Sequence, residues 1–225
     1  MIDRIQEDPY SLCILNGDLM NTALRNSVSD IYGELMSPMQ QISYLVDLLA
    51  PIKDRIIGVT TGNHENRVYR TDGIDVTSLV CRELGVADRY GPEGILVFLR
   101  FGTRNSHDIH RSRNMRQWYS IYATHGSGSG RKEGAKAIRL ADMAAVVDAD
   151  IYIHGHTHLP LIMKQSFFRA DAINCTAKPV QKLFVNSGAC LRYGGYGQAQ
   201  EFKPSAIASP VIHLESKHKH MTATM

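Results

Sequence analysis

Short apolar runs alternate with longer amphipathic segments along the first two thirds of the chain. Four of these runs are rich in β-prone residues, and a glycine or a polar motif follows each of them, which is typical of buried strands. The four runs are Leu12–Leu15, Ile56–Thr60, Tyr119–Ala123 and Ile151–Ile153. The pattern therefore predicts four strands.

Between these runs, apolar residues recur at helical spacing. Ser37 and Gln40 fit a capping box with Pro38 at the first helical position, so one helix is predicted from about Pro38 to Leu49. Two further helices are predicted over about residues 75–84 and 134–147. Strands that alternate with helices indicate an α/β fold.

The pattern changes after residue 158 to β-rich segments that glycine and proline interrupt. These segments are Leu161–Phe168, Lys182–Val185 and Val211–Leu214. Early alternation followed by strands predicts a layered α/β sandwich. Residues 1–215 are expected to form a single domain, and the polar residues 216–225 are expected to form a frayed C-terminal tail.

Length and composition set broad limits. With 225 residues and 44% hydrophobic content, the chain can bury the core of one large domain. Its 25 basic and 22 acidic side chains give a net charge of +3, which neither demands nor excludes a nucleic-acid partner.

The four cysteines are widely separated and form no CxxC pair, so we expect reduced core residues. They are Cys13, Cys81, Cys175 and Cys190. The N-terminus lacks a basic start followed by an apolar run, and charged residues interrupt the most apolar stretch. We infer no membrane span and no secretory signal, and we predict a cytoplasmic protein.

A short polar motif follows each of the four predicted strands. The motifs are Asn16-Gly17-Asp18, Gly62-Asn63-His64-Glu65, Thr124-His125-Gly126 and Gly155-His156-Thr157-His158. Side chains just beyond the ends of parallel strands can converge on one crevice even when they are far apart in sequence. The sequence therefore predicts one site rather than four.

The residue types in these motifs suit divalent metal ions. The carboxylate of Asp18 can bridge two ions about 3.5–4 Å apart, as two-metal hydrolases require. The amide oxygen of Asn63 and the imidazoles of His125 and His156 complete a mixed donor set that suits Mn, Fe, Zn or similar ions better than Ca. On an extended backbone, His156 and His158 point to the same face, so each could serve a different ion.

Each of these residues also has an ordinary explanation when it is taken alone. Asp18 could cap a helix or lie in a turn, and Asn63 could be a turn residue. His125 could be a satisfied polar group at a strand end, and two histidines one residue apart arise by chance. The ordered combination of four motifs favours a hydrolytic two-metal site.

The ordered motifs resemble those of the calcineurin-like metallophosphoesterase superfamily, and the resemblance covers about residues 12–188. It implies a double β-sandwich flanked by helices, two divalent metal ions (Mn, Fe, Zn or Ni), and hydrolysis of a phosphomonoester or phosphodiester. The implied metal ligands are Asp18 as the bridging carboxylate, Asn63, His125 and His156 in one site, and His158 in the other.

The resemblance also implies roles around the substrate. His64 matches a histidine that does not bind metal but stabilises developing charge or protonates the leaving oxygen. Glu65 matches a position that orients His64 or a ligand, although a solvated turn carboxylate would also fit. Arg67 could clamp a phosphate bidentately, and an ordinary surface arginine fits the position equally well.

A basic segment between residues 100 and 118 bears on the choice of substrate. It could grip a nucleic-acid backbone and stack a base, or it could be a solvated basic hairpin or loop. Its residues of interest are Arg100, Arg104, His107, His110, Arg111, Arg113, Arg116 and Trp118.

The functional prediction follows from these features. We expect a metal-dependent phosphoesterase that hydrolyses a phosphodiester in nucleic acid or a nucleotide. The alternative is a catalytically silent metal-binding or interaction module that derives from a phosphoesterase.

Two departures from the family pattern affect these expectations. The family begins with an Asp-x-His motif on its first strand, whereas Asp3 is followed by Arg4 and Ile5. Residues 1–8 resemble the end of the helix that should follow that strand, so the domain is expected to be N-terminally truncated and to lack its first strand. Near the end of the match, Asn186–Ala189 resembles the family's Asn-Pro-Gly-Ser turn but differs at two positions.

Overall fold

The structure of the protein is a computed structural model that describes residues 1–25, 27, 31–101, 117–128, 130, 132–190, 198, 203–204 and 207–225. Within these residues, the α-helices are α1 (Ile2–Glu7), α2 (Pro38–Leu49), α3 (Asn63–Asp72), α4 (Val76–Leu84) and α5 (Glu133–Val146). The strands are β1 (Cys13–Asn16), β2 (Ile56–Thr60), β3 (Ile95–Arg100), β4 (Trp118–Thr124), β5 (Ile151–His154), β6 (Leu161–Asp171), β7 (Thr176–Asn186), β8 (Val211–Leu214) and β9 (Met221–Thr224).

The strands form two sheets and a hairpin. Strands β1 and β2 pair in parallel, and the larger sheet has the order β3-β4-β5-β7-β6. In the larger sheet β4, β5 and β7 run parallel to one another. Strands β3 and β6 lie at the two edges, and each is antiparallel to its neighbour. Strands β8 and β9 form an antiparallel hairpin.

Three apolar clusters hold these layers together. The first packs α2 and α4 against β1 and β2, with Leu15 and Ile56 at its centre. The second lies on one face of the larger sheet, where Tyr119 and Met221 pack together and Ile14 of β1 joins them. The third packs α5 against the other face of that sheet. This arrangement confirms the predicted α/β sandwich flanked by helices.

The predicted helices form where their end signals lie. Ser37 and Gln40 make the reciprocal capping box at the start of α2, whose bounds match the prediction. A carboxylate oxygen of Asp75 accepts from the backbone N–H of Ser78 at 2.9 Å, so α4 begins one residue after this cap. Helix α4 ends at Gly85, which adopts a left-handed conformation with φ 75°.

The expectation that residues 216–225 are frayed is wrong. These residues include β9, and Met221 is buried. The hydroxyl of Tyr119 donates to the backbone oxygen of Glu215 at 2.7 Å and lies 3.0 Å from the backbone oxygens of His218 and His220. A buried side chain of the larger sheet therefore anchors the turn between β8 and β9.

The cysteine prediction is correct in one respect and wrong in another. All four cysteines are unpaired, as expected. Cys81 is buried and Cys13 is half-buried, but Cys175 and Cys190 are exposed. Cys175 lies in the tight turn between β6 and β7 with φ 51°, so it is no core residue.

Most of the predicted basic segment falls outside the described part of the chain. Arg100 and Trp118 are described, and the Arg100 guanidinium lies 5.3 Å from the centre of the Trp118 ring. The residues outside the described ranges are Arg104, His107, His110, Arg111, Arg113 and Arg116. No helix among the described residues is both long enough and apolar enough to cross a membrane.

Candidate metal centre

The predicted site residues follow the ends of strands in both sheets. Strand β1 leads into Asp18, β2 leads through Gly62 into α3, β4 leads into His125 and β5 leads into His156. Within the described chain, ligand atoms of Asp18, His125 and His156 lie within 4.8 Å of one another. The structure therefore brings together the motifs after β1, β4 and β5, and the motif after β2 joins them through the side-chain oxygen of Asn63, 3.1 Å from Nε2 of His125.

Asn16 joins the ends of the two sheets. Its side-chain amide donates to the backbone oxygen of Thr124 at 3.0 Å, and its side-chain oxygen accepts from the Thr60 hydroxyl at 3.2 Å. Its backbone oxygen lies 2.8 Å from Nδ1 of His125. The sequence alone indicates no role for Asn16, because these partners meet only in the folded chain.

The contact between His125 and Asp18 defines the chemistry of the site. Because a carbonyl oxygen only accepts, Nδ1 of His125 donates to Asn16, and the lone pair of neutral His125 lies on Nε2. That Nε2 lies 3.2 Å from Oδ2 of Asp18, which also only accepts. A proton or a cation must therefore lie between these two atoms.

The donor set fits a divalent ion. Two atoms that bind one ion at roughly 2.1 Å each are about 3.0–3.4 Å apart at right or tetrahedral angles. The 3.2 Å separation of Asp18 and His125 falls in this range. A hydrogen bond that fixes the second nitrogen of a metal-binding histidine is also usual in such sites.

The electrostatics of the pair favour positive charge between the two atoms. Burial alone would raise the pKa of Asp18, but the hydrogen bond and charge of His125, together with the backbone N–H of His64, lower that pKa to about 2. Burial alone would lower the pKa of His125, but the hydrogen bond and charge of Asp18 outweigh it and raise the pKa. The pair therefore attracts positive charge.

Asn63 and His156 lie on the open side of this pair. The side-chain oxygen of Asn63 is 3.1 Å from Nε2 of His125 and 2.7 Å from Nδ1 of His156. Nε2 of His156 lies 3.1 Å from the backbone oxygen of Gly128 and donates to it. Nδ1 of His156 is thus the nitrogen that faces the cluster.

The extended backbone expected at His156 and His158 is wrong. Both residues have positive φ angles, 58° and 53°, so neither has the strand conformation that would point both side chains to one face. The cluster of mutually close ligand atoms includes His156 but not His158, which is exposed. The assignment of His158 to a second ion stays a prediction.

His64 lies beside the cluster and has its own hydrogen-bonded partner. Its Nδ1 is 2.7 Å from the side-chain oxygen of Asn21, and the side-chain amide of Asn21 donates to the carboxylate of Glu34. Because the Glu34 carboxylate only accepts, this contact fixes the orientation of the Asn21 amide. His64 therefore carries hydrogen on Nδ1, and its Nε2, 3.9 Å from Oδ2 of Asp18, faces the site.

Glu65 is a buried carboxylate that organises the backbone of the site. It accepts from the backbone N–H groups of Asp18 and Gly62, both at 3.1 Å, and of Met20 at 2.9 Å. Burial raises the pKa of Glu65 despite these hydrogen bonds. Glu65 is only 1% exposed, so the structure does not place it as a solvated turn carboxylate.

Gly62 allows the two motifs on β1 and β2 to touch. A Cβ atom at residue 62 would lie 2.1 Å from the backbone nitrogen and from Oδ1 of Asp18. Oδ1 of Asp18 also accepts from the backbone N–H of His64 at 3.0 Å. The first turn of α3 is thereby attached to the loop that carries Asp18.

Arg67 lies one turn along α3 from His64. Burial lowers the pKa of His64, and the charge of Arg67 lowers it further, while the charge of Asp18 acts in the opposite direction. The positive charge of Arg67 is thus felt at the site. Its contact with a phosphate stays a prediction.

Comparison with known proteins bears on the class. Residues 1–160 match the family model described as calcineurin-like phosphoesterase. A search of curated proteins gives no significant match.

Two solved structures show a weaker likeness. Vacuolar Protein Sorting 29 from Cryptosporidium parvum has 15% identity and a TM-score of 0.34, over 81% of this chain and 74% of that chain. A conserved uncharacterized protein from Streptococcus pneumoniae TIGR4, titled a predicted phosphoesterase, has 16% identity and a TM-score of 0.31, over 69% of this chain and 70% of that chain. Scores of this size carry no argument, so the family assignment rests on the family model.

The fold and the site thus define the class of protein, which is that of the metal-dependent phosphoesterases. The chain belongs to the calcineurin-like phosphoesterase family.

Proposed function

We propose that the protein hydrolyses a phosphodiester with two divalent metal ions. The observation that carries this proposal is the 3.2 Å approach of His125 Nε2 to the Asp18 carboxylate, two lone-pair atoms that need a cation or a proton between them. Divalent ions bound there would supply Lewis acidity and activate the attacking water.

The protein's own residues would hold these ions and the substrate. Asp18, Asn63, His125 and His156 would hold one ion, with Asp18 shared with a second ion near His158. Glu65 would keep Asp18 in place by accepting a hydrogen bond from the backbone N–H of Asp18. Mn, Fe, Zn and Ni all suit these nitrogen and oxygen donors.

His64 would act on the leaving oxygen. Asn21 fixes the hydrogen on Nδ1, so Nε2 is the atom that faces the site. An imidazolium His64, protonated on both nitrogens, would give its Nε2 proton to the departing alkoxide and be left as the neutral form with hydrogen on Nδ1. Arg67, one turn further along α3, would bind a phosphate oxygen of the substrate. These two roles need a substrate with a phosphate ester, which is the substrate class of the family.

A nucleic acid or nucleotide is the substrate that we favour among phosphodiesters. The support is the basic character of the segment between residues 100 and 118, together with the Arg100 and Trp118 pair at its two ends. A guanidinium beside an exposed indole is suited to backbone phosphate and to base stacking.

The test is Mn-dependent hydrolysis of a chromogenic phosphodiester by the purified chain. Turnover should be lost in His64→Ala and in Asn63→Ala, while His213→Ala and Asn174→Ala, at exposed positions away from the cluster, should keep wild-type rates. Equal rates in all five proteins, or turnover that does not depend on metal, would rule the proposal out.

A catalytically silent module that binds one ion is the second candidate. The observation in its favour is that the described group of close ligand atoms contains Asp18, His125 and His156 without His158. Metal stoichiometry separates the two candidates: the enzyme needs about two Mn ions per chain, and the silent module holds one or none.

A further inference from the structure

Asn186, the last residue of β7, lies under the turn that carries two of the predicted metal ligands. It is 1% exposed, and both ends of its side-chain amide are hydrogen-bonded. Its Nδ2 donates to the hydroxyl of Thr157 at 2.8 Å and to the backbone oxygen of Leu159 at 2.6 Å. Its Oδ1 lies 2.9 Å from Nδ1 of His154.

The direction of these hydrogen bonds follows from their partners. The backbone oxygen of Leu159 only accepts, so the amide nitrogen of Asn186 must face it and the amide oxygen must face His154. Nδ1 of His154 therefore carries hydrogen. One buried side chain thus forms hydrogen bonds to three points of the turn, at His154, Thr157 and Leu159.

The same turn is attached on two other sides. The backbone N–H of Gly155 donates to the backbone oxygen of His125 at 3.1 Å, and the Lys136 ammonium on α5 donates to the backbone oxygen of Thr157 at 2.8 Å. Residues 156 and 158 have left-handed φ angles, which cost free energy for residues other than glycine. Surrounding contacts must therefore hold the turn in this shape, and Asn186 supplies three of them.

We propose that Asn186 is a positioning residue that sets the conformation of the turn at residues 154–159 and thereby the direction of the His156 imidazole. The hydrogen bonds of its side chain go to His154, Thr157 and Leu159, none of which is a proposed metal ligand. Its effect on metal binding rests on the proposed function, whereas its effect on the turn does not.

The variant that tests this role is Asn186→Asp, which keeps the shape of the side chain but removes both donors. The matched control is Val185→Ala, because Val185 is the neighbouring residue of β7, is fully buried, and packs in the second apolar cluster, on the opposite face of the sheet from the Asn186 side chain. Both variants can lower global stability, but only the first removes side-chain hydrogen bonds to residues 154–159.

The first measurement is amide hydrogen exchange of residues 155–159 in the metal-free protein. We expect at least about tenfold faster exchange in Asn186→Asp than in wild type, and wild-type exchange in this segment for Val185→Ala. The second is Mn binding by titration calorimetry, where outer hydrogen-bonding partners affect metal affinity by about 10- to 100-fold. We expect a loss in that range for Asn186→Asp and a change below about twofold for Val185→Ala.

Each result has a definite meaning. Wild-type exchange and wild-type Mn affinity in Asn186→Asp would overturn the positioning role. If wild type itself bound no Mn, the proposed function would fail, and the exchange data alone would still decide whether Asn186 holds the turn. If Asn186→Asp did not fold, Thr157→Val, which removes one of the three contacts, should show the same faster exchange on a smaller scale, and wild-type exchange there would overturn the role.

Discussion

Nε2 of His125 faces Oδ2 of Asp18 at 3.2 Å, although the two residues follow strands of different sheets. Asp18→Asn would replace the carboxylate by an amide that carries no charge and can turn a donor toward His125. We expect Mn affinity to fall by more than about 100-fold, because Asp18 is the proposed bridging ligand. Titration calorimetry measures this loss, with the exposed Asp47→Asn as the control.

An Asp18→Asn protein that binds Mn as wild type does would contradict the assignment of Asp18 as a ligand. Circular dichroism should show a folded chain in both variants, so that a loss of binding is not a loss of structure.

The hydrogen bond from His64 to Asn21 leads to a second prediction. Asn21→Ala frees the imidazole to rotate and to change the nitrogen that carries hydrogen. We expect kcat for a phosphodiester to fall by roughly 10- to 100-fold, which is part of the roughly 10²–10⁴-fold of general acid catalysis because His64 itself is still present, with Mn affinity within about threefold of wild type. Steady-state kinetics and calorimetry on the same preparation separate the two effects.

For this variant, Asn174→Ala in the β6–β7 turn is the matched control, since it removes an asparagine far along the hairpin from the site. If Asn21→Ala lost metal binding and kcat together, Asn21 would support the ligands rather than His64.

The anchoring of the C-terminal hairpin predicts an effect on stability. Tyr119→Phe removes the hydroxyl that donates to the backbone of the β8–β9 turn and accepts from the N–H of His220. We expect the free energy of unfolding to fall by about 0.5–1.5 kcal/mol, the usual net contribution of a hydrogen bond, because the backbone partners at Glu215 and His220 are exposed to water. Urea denaturation measures the loss, and the exposed Tyr44→Phe should be neutral.

A chain in which Tyr119→Phe unfolds at the wild-type urea midpoint would show that the hairpin is held by its apolar contacts alone, chiefly those of Met221.

Lys182 gives a prediction at alkaline pH. Its side chain is 7% exposed, and its ammonium lies 2.7 Å from a carboxylate oxygen of Asp148 and donates to the hydroxyl of Tyr152 at 2.9 Å. Burial alone would lower the pKa of Lys182, but these two partners raise it above the ordinary value. The stabilisation is therefore fully present below the pKa of the unfolded lysine, about 10.4, and is lost as pH rises through the higher folded pKa.

Lys182→Met keeps the length of the side chain beside the Phe167 ring and removes the titrating group. Thermal unfolding measured from pH 8 to pH 11.5 should show a steeper loss of stability for wild type than for Lys182→Met above about pH 10. Parallel curves would mean that Lys182 contributes no charge-dependent stability.

Local patterns were enough to predict much of the fold. The runs that became β1, β2, β4 and β5 each ended in a polar motif, and the bounds of α2 followed from Ser37 and Pro38. Helix α3 escaped prediction because its sequence is strongly polar, and its start depends on Glu65 reaching back to the backbone of Gly62. Strand β9 escaped prediction because its short sequence has little strand pattern of its own. It depends on pairing with β8 and on the contact of Met221 with Tyr119.

The residues of the candidate site likewise fall into those that the sequence indicates and those that only the folded chain reveals. Residues with distinctive chemistry, such as His125 and His156, were visible in the motifs. Asn16, Asn21 and Asn186 were not, because an asparagine gives no signal until the partners of its amide are known. The left-handed backbone at His158 was likewise hidden, since no neighbouring residue type demands it.

The three hydrogen bonds of Asn16 place the site at the junction of the two sheets. The strands that meet there belong to two different sheets, which also share apolar packing where Ile14 of β1 joins the cluster of the larger sheet. An ion bound by both Asp18 and His125 would add a further link between the two sheets, so the force needed to separate them should rise when metal is added. The force at which the chain unfolds would then report whether the metal centre is occupied.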